Sequence, residues 1–389
     1  MKFDKSKQTV AVIFGGISVE HDISIITGVQ TLNALNKNKY NVVPIYISKD
    51  NVWYTGEQLF DIRYFAKNSF KNELKKVFLM GKQLCTFNFN FKKVVCNLSF
   101  VYLALHGGMG ESGNIQGYLD INGLPYSSCG NIGSGICMDK YLTKLLCKTQ
   151  NIEVVNGVLL KEQDKTLEFS EIIKKIKDLQ FPLIVKPNKL GSSIGVNFCK
   201  TNEQLKNAIS FAFMFDTEVL IEQAIENLQE FNIAVMGNSQ NCELSDIEKV
   251  NKTNDFLTFE NKYMSNSASG KGMEGSDREV PAIIEKELSD KICDYAIKIY
   301  KLLNLKGIVR IDFLHDEDSN KIYLNEVNTI PGSLSNYLWK TKKYNFSNIL
   351  EKLKQYALYQ FEVDNKKVKN FSSSVLSTFK DGTKLSINK

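Results

Sequence analysis

Along this chain the spacing of apolar residues switches between periods of two and of about 3.6, the marks of strands and of amphipathic helices. Residues 307–328 hold the clearest period of two: GIVRIDFL, a polar turn over 315–320, and KIYLNEVN read as the two strands of a hairpin. Arg310 and Asp312 fall on one strand face, and Glu326 and Asn328 on one face of the next. Apolar Ile308, Val309, Ile311, Phe313, Ile322, Leu324 and Val327 surround them, so the hairpin is expected to be buried. Buried charge is tolerated only when it is paired or metal-bound.

The same reading places elements on either side. Residues 9–14 (TVAVIF) form a buried strand, Gly15 and Gly16 a turn, and 22–36 a helix, a unit that opens a parallel sheet. The turn lacks GxGxxG, and Glu20 and His21 sit where a helix start presents a small ligand or simply meets the dipole. A second strand spans 40–47, and a third, 100–105, ends at His106 before a glycine-rich loop and a helix at 115–122. That position suits a ligand site or a plain turn. Lys140 opens a helix over 139–147, where a cation gains nothing from the dipole; it either meets an anion or is a solvated lysine. In 181–196 (FPLIVKPNKLGSSIGV) Lys186 interrupts an apolar strand, and the loop Gly191, Ser192, Ser193, Ile194, Gly195 offers amides and hydroxyls to phosphate without being a Walker loop. Thr201 with Gln204 forms a capping box, and 218–223 is a further strand. Residues 251–277 lose periodicity and read as a lid carrying Lys262 and Tyr263. Helices follow at 283–303 and 346–361, then a polar, lysine-rich tail after Glu362.

Composition narrows the function. A chain of 389 residues, 43% hydrophobic and 11% aromatic, suffices for two or three packed domains. The net charge of +6 comes from 49 basic against 43 acidic residues without a basic stripe, so no nucleic-acid partner is expected. Eight scattered cysteines without CxxC spacing, and an N-terminus without an apolar leader, suggest a reduced cytoplasm. No apolar run nears the ~18 residues that span a bilayer, so no membrane partner is expected. Two carboxylates and an amide on neighbouring strands make an all-oxygen site suited to Mg²⁺ and phosphate. Arg310 is one of only three arginines, beside Arg63 and Arg278, and is placed to stabilise an anionic transition state.

Taken together and in order, VAVIFGGISVEHDIS, LALHGGMGESGNIQGYLDINGLPY, MDK, FPLIVKPNKLGSSIGV, VLIEQ, ENKYM, GIVRIDF and LNEVNTIPG resemble the D-alanine-D-alanine ligases of the ATP-grasp superfamily. The resemblance implies an α/β chain with an ATP-grasp fold. A parallel-sheet domain would span 1–136, and two α+β subdomains at 137–220 and 221–362 would clamp ATP, the second carrying the lid, before a tail at 363–389. It further implies ATP-dependent ligation of two D-alanines through an acyl phosphate, for peptidoglycan precursor synthesis, in a cytoplasmic homodimer. Asp312, Glu326 and Asn328 would ligate two Mg²⁺ (or Mn²⁺) ions. Lys140, Lys186 and Lys262 would grip phosphates with Ser192 and Ser193, and Glu222, Gln223 and Glu230 would line the nucleoside site, Gln223 standing where the family usually has lysine.

By the same resemblance Glu20 would pair with the first D-alanine's ammonium and His106 would sit near its carboxylate. Arg310 and the Gly332 amide would stabilise the oxyanion, and Ser192 and Tyr263 would link with Glu20. The run Ser333, Ser335, Tyr337, Leu338 would meet the second substrate, Tyr337 standing where the family has a carboxylate-binding serine. That departure leaves D-serine or another D-amino acid open as second substrate. D-lactate is disfavoured by Tyr263, which ester-forming relatives usually lack. A non-catalytic ATP-grasp nucleotide-binding protein is the alternative from another class.

Overall fold

The computed structural model describes residues 3–66, 73–88, 91–238, 240–250, 278–370, 372, 373 and 376. The expected lid at 251–277, with Lys262 and Tyr263, lies outside the described residues, as does most of the tail.

The first sheet joins β1 (Gln8–Gly15), β2 (Tyr40–Ile47), β3 (Trp53–Thr55), β4 (Lys75–Lys76) and β8 (Phe100–Leu103) in the order β4-β3-β2-β1-β8. β1 runs parallel to both β2 and β8 and is buried from Val10 to Gly15, as a central strand covered on both faces must be. The helix His21–Ala34 lies flush on it: a Cβ on Gly28 would stand 2.3 Å from the Phe14 ring. An antiparallel sheet of β5 (Phe78–Met80), β6 (Gln83–Asn88) and β7 (Phe91–Asn97) precedes β8, in a region for which the periodicity predicts no element. Phe87 and Phe91 are exposed there, which blurs the alternation.

The second unit is antiparallel: β9 (Gly157–Lys161), β10 (Leu183–Pro187), β11 (Asn197–Cys199) and β12 (Glu218–Gln223), ordered β11-β10-β12-β9. The helix Asn202–Ala212 covers it, capped at Thr201, whose hydroxyl accepts from the Gln204 amide at 3.3 Å. The expected domain boundary at 220/221 falls inside β12.

The third unit orders β13 (Leu228–Gly237), β14 (Cys242–Val250), β15 (Arg278–Glu279), β16 (Gly307–Asp316) and β17 (Lys321–Asn328) as β15-β14-β13-β16-β17, all antiparallel. Three neighbouring pairings line up Glu248, Asn232, Asp312 and Glu326 in one rung across four strands. The register shifts after Asp312, so that Phe313 faces Leu324 and Asn325 is the extra residue of a bulge. This bulge has a packing reason. Ile322 and Leu324 are fully buried in the core, yet Glu326 and Asn328, at the same parity, leave it while Val327 enters. One added residue re-aims the strand without breaking it.

Helix Lys286–Leu302 packs Ile292, Ala296 and Ile299 into this core. Helix Phe346–Asn365 returns to the first sheet, where the Tyr102 hydroxyl donates to the Leu350 carbonyl at 3.1 Å. Ile330, Leu334, Leu338 and Trp339 join that first core too, so the chain just after β17 is anchored in the N-terminal unit. No described helix is long and apolar enough to cross a membrane.

Candidate active site

The end of the hairpin carries the acidic half of the site. Arg310 grips Asp312 side-on, Nε to Oδ1 at 2.6 Å and Nη2 to Oδ2 at 2.7 Å, and Asn328 Nδ2 donates to the same Oδ2 at 2.9 Å. Glu326, directly opposite Asp312, has Lys140 Nζ at 3.6 Å. Lys140 also donates to the Leu190 carbonyl at 2.6 Å and is buried, so it is not a solvated surface lysine. Among the described residues no three His, Cys, Asp or Glu side chains are grouped to cage an ion by themselves. Two carboxylates plus an amide oxygen are a half-shell of hard donors, which fits a divalent cation completed by phosphate oxygens.

Two glycine-bearing loops close over Glu20. The Ser192 hydroxyl donates to Glu20 Oε1. A Cβ on Gly107 or Gly191 would come within 2.6 or 2.7 Å of Oε2, so both positions need the absence of a side chain. Glu20 stands at the N-cap of helix His21–Ala34, but its side chain makes no capping bond. Burial pushes its carboxyl above the usual range, and Glu326 adds to this, while Ser192, Lys140 and Arg310 pull it back. Glu111 accepts from the amides of Gly107 (2.8 Å) and Ile330 (3.0 Å), tying the glycine loop to the chain after β17. Burial, with repulsion from Glu20 and Glu326, raises Glu111 to about 7. Glu326 thus raises the charging cost of Glu20 and of Glu111, a concentration of carboxylates from three elements suited to a cationic ligand.

His106 is buried behind the surface of the site. Its Nδ1 is 2.7 Å from the Ile330 carbonyl and its Nε2 is 2.8 Å from Thr27 Oγ1, which in turn accepts from the Ser333 amide at 3.0 Å. One tautomer satisfies all three bonds: Nδ1–H donates, and Nε2 accepts from the threonine hydroxyl. Burial, with Arg310 nearby, lowers His106 to about 4, so it stays neutral. The relay holds a left-handed run, Ser333, Leu334 and Ser335 at φ of 50°, 49° and 48°, which non-glycine residues adopt only when their surroundings impose it. Ser335 is fully buried with a hydroxyl that has no partner among the described residues, Gly332 opens the run, and Leu338 is wholly in the core.

On the second unit Glu222 is fully enclosed. Lys144 Nζ donates to its Oε1, and Lys186 Nζ lies 2.6 Å from Oε2. Burial opposes its charge, but the two lysines win and hold its carboxyl down to about 2; burial lowers Lys144 to about 8. Lys186 also reaches Asn325 Oδ1, the bulge residue, at 3.4 Å, linking the two antiparallel sheets. Gln223 is spent on the backbone of Gln180 and Pro182. Ser193, at φ of 58°, turns the 191–195 loop, and Glu230 lies half-buried on β13 opposite Val250.

Tyr337 is buried, and its hydroxyl donates to Glu248 Oε2 at 3.1 Å while accepting from Arg278 Nη1 at 3.2 Å. Sequence reasoning missed Thr27, Glu111, Lys144, Glu248 and Asn325. Lys144 was legible as the i+4 neighbour of Lys140 on one helix face, and Glu111 as the acid inside the glycine loop; Glu248 and Asn325 depend on register and a bulge.

Two antiparallel sheets joined through Lys186, with a mixed sheet, parallel about β1, whose following turn brings Glu20 to Ser192, define the ATP-grasp class of ligases. Comparisons narrow it further. The family model described as D-ala D-ala ligase N-terminus matches residues 9–129, and the D-ala D-ala ligase C-terminus model matches 146–355. The D-alanine--D-alanine ligase of Thermosipho melanesiensis is 39% identical over 371 residues, covering 94% of this chain and 98% of its own. The D-alanine--D-alanine ligase B of Clostridium tetani is 34% identical over 90% of this chain and 94% of its own. Among solved structures, the Helicobacter pylori D-alanine-D-alanine ligase superposes with a TM-score of 0.73 at 30% identity, covering 90% of this chain and 98% of that one. The VanG D-Ala:D-Ser ligase of Enterococcus faecalis gives 0.75 at 28%, covering 90% and 99%. The chain belongs to the D-alanine-D-alanine ligase family, whose members use ATP and a divalent metal ion.

Proposed function

We infer that this chain joins two D-alanines at the expense of ATP, releasing ADP and phosphate, and so supplies a dipeptide for peptidoglycan precursors. The observation that carries the reading is the opposed pair Asp312 and Glu326, flanked by Arg310 and Asn328 at the cleft. These four fit phosphoryl transfer, which needs positioning and charge neutralisation rather than a protein nucleophile. Asp312, Glu326 and the Asn328 amide oxygen would hold Mg²⁺ or Mn²⁺, which when bound neutralises phosphate charge.

Glu20, fixed by Ser192, receives the ammonium of the first D-alanine. That leaves its carboxylate to attack the γ-phosphorus, forming the acyl phosphate and freeing ADP. Lys140 and Lys186, with Ser192 and Ser193, grip phosphate oxygens, and Glu222, Gln223 and Glu230 stand along the nucleoside side. The amine of the second D-alanine then attacks the acyl carbon. Arg310 and the Gly332 amide stabilise the oxyanion, the C–O bond to phosphate breaks, and the amine loses its proton. His106 acts through Thr27 on the Ser333 segment that borders this pocket. Lys262 and Tyr263 keep their expected places in the reading, outside the described residues.

A division into three units, a homodimer and a cytoplasmic location complete the proposal; three cores support the count of units, with 330–353 packed in the first core and 220/221 lying within β12. The test incubates the protein with ATP, Mg²⁺ and D-alanine, follows phosphate release, and identifies the product by mass spectrometry. Phosphate release without dipeptide would overturn the ligase reading. Light scattering on the same sample reads the oligomeric state.

A further inference from the structure

Of the three arginines, Arg63 is spent on Asp61 at the surface and Arg310 on Asp312. Arg278 is the one without an assigned task. It opens β15 at the sheet edge opposite Val250, and its side chain is 21% exposed. Nη1 makes two bonds, to Glu248 Oε1 at 2.7 Å and to the Tyr337 hydroxyl at 3.2 Å. Tyr337 and Asn232 both donate to Glu248 Oε2, at 3.1 and 2.9 Å. Glu248 is wholly buried, so this closed ring of bonds holds the guanidinium in one place, with its centre 5.8 Å from the Tyr337 ring.

The ring occupies one end of the rung that runs Glu248, Asn232, Asp312, Glu326. Two strand spacings, about 10 Å, separate Glu248 from Asp312 across the sheet, with Asn232 on the strand between them. Tyr337 lies within electrostatic reach of Arg310 as well as of Arg278. Among the described residues the Nε–Nη2 edge of Arg278 has no hydrogen-bond partner. That edge is the fork that takes a carboxylate with two parallel bonds. The Tyr337 hydroxyl, in contrast, is already committed to Glu248.

We propose that Arg278 is the receptor for the second substrate's carboxylate, and that Tyr337 and Glu248 are the positioning residues that hold its free edge toward the Arg310 end of the site. This rests on the ligase reading above. The acceptor is then a small α-amino acid with a free carboxylate, and its amide is refused for want of the second charge.

Arg278→Gln strands the buried Glu248 charge, so the informative variant pairs it with Glu248→Gln; Arg278→Lys keeps the charge but loses the fork. Dipeptide formation is measured with D-alanine and with D-alaninamide as acceptor. In the paired variant the second-substrate KM rises about 100-fold, the first-substrate KM stays within about twofold, and the preference for D-alanine over D-alaninamide falls by a similar factor. Arg278→Lys restores part of that preference. Equal rises in both KM values, or an unchanged acceptor preference, overturn the proposal. Failure of the unaltered enzyme to make any dipeptide overturns the ligase reading instead, and the proposal with it.

Discussion

Asp312 stands directly opposite Glu326 across β16 and β17. Like charges directly opposed in an antiparallel pair destabilise it, by about 0.2–1 kcal/mol. The fold tolerates them by giving Asp312 to Arg310 and setting Lys140 near Glu326. In the proposed reaction the pair serves the divalent ion.

Glu326→Gln should therefore cut ligation by at least about 100-fold while leaving stability unchanged or slightly raised, since it removes a repulsion and a ligand together. Chelation of the wild-type protein should abolish turnover likewise. Phosphate-release rates and urea unfolding on the same samples check this; near-wild-type turnover would take Glu326 out of the metal site.

Ser192 reaches Glu20 from 172 residues away. Losing one hydrogen bond to a charged group costs about 1.5 kcal/mol or more, so Ser192→Ala should raise the first substrate's KM about tenfold and leave the ATP KM nearly unchanged. Gly191→Ala should act in the same direction, because its new Cβ would crowd Glu20 Oε2. Equal KM values in wild type and Ser192→Ala would show the contact to be idle.

His106 and Glu111 pull stability in opposite directions with pH. His106 falls from 6.5 to about 4, so between those values the unfolded chain binds more protons and stability rises with pH, by roughly 3 kcal/mol at 1.36 per unit. Glu111 rises from 4.5 to about 7, so the folded chain binds more protons and stability falls by a similar amount as pH climbs through that window. Glu111→Gln should remove only the fall. Its unfolding free energy, plotted against pH from 4 to 7, should climb more steeply than the wild type's, and parallel curves would contradict the assignment.

Lys144 and Lys186 share one buried carboxylate. Removing one partner of a buried pair costs about 3–5 kcal/mol, so Lys144→Met should lower stability by nearly that much, tempered by the remaining Lys186. Lys144→Met with Glu222→Gln should recover part of the loss. A coupling energy below about 0.5 kcal/mol in the double-mutant cycle would mean the two act independently. In the wild type Glu222, held at about 2 against 4.5, contributes stability above pH 4.5 that is lost as pH falls toward 2.

Periodicity alone was enough for the hairpin, for β1 and for the helix after it. These elements rest on local patterns: strict alternation, an unbroken apolar run, a 3.6-residue repeat. The family resemblance, written in contiguous blocks, extended that to the ligase fold. Contiguous residues could also show that Glu20, Lys186, Arg310 and Asp312 were charged where apolar neighbours made charge expensive. What they face is a matter of tertiary structure. The Asn325 bulge turns Glu326 away from the core that Leu324 fills, which no count of alternate residues reveals. His106 was legible as a histidine at a strand end, but not its bonds to Thr27 and Ile330, 79 and 224 residues distant. Tyr337 and Arg278, 59 residues apart, meet only because strand register lays Glu248 between them. Side-chain type and local period set which elements form and which charges must find partners; the partners themselves come from chain segments that only the packing of three units brings together.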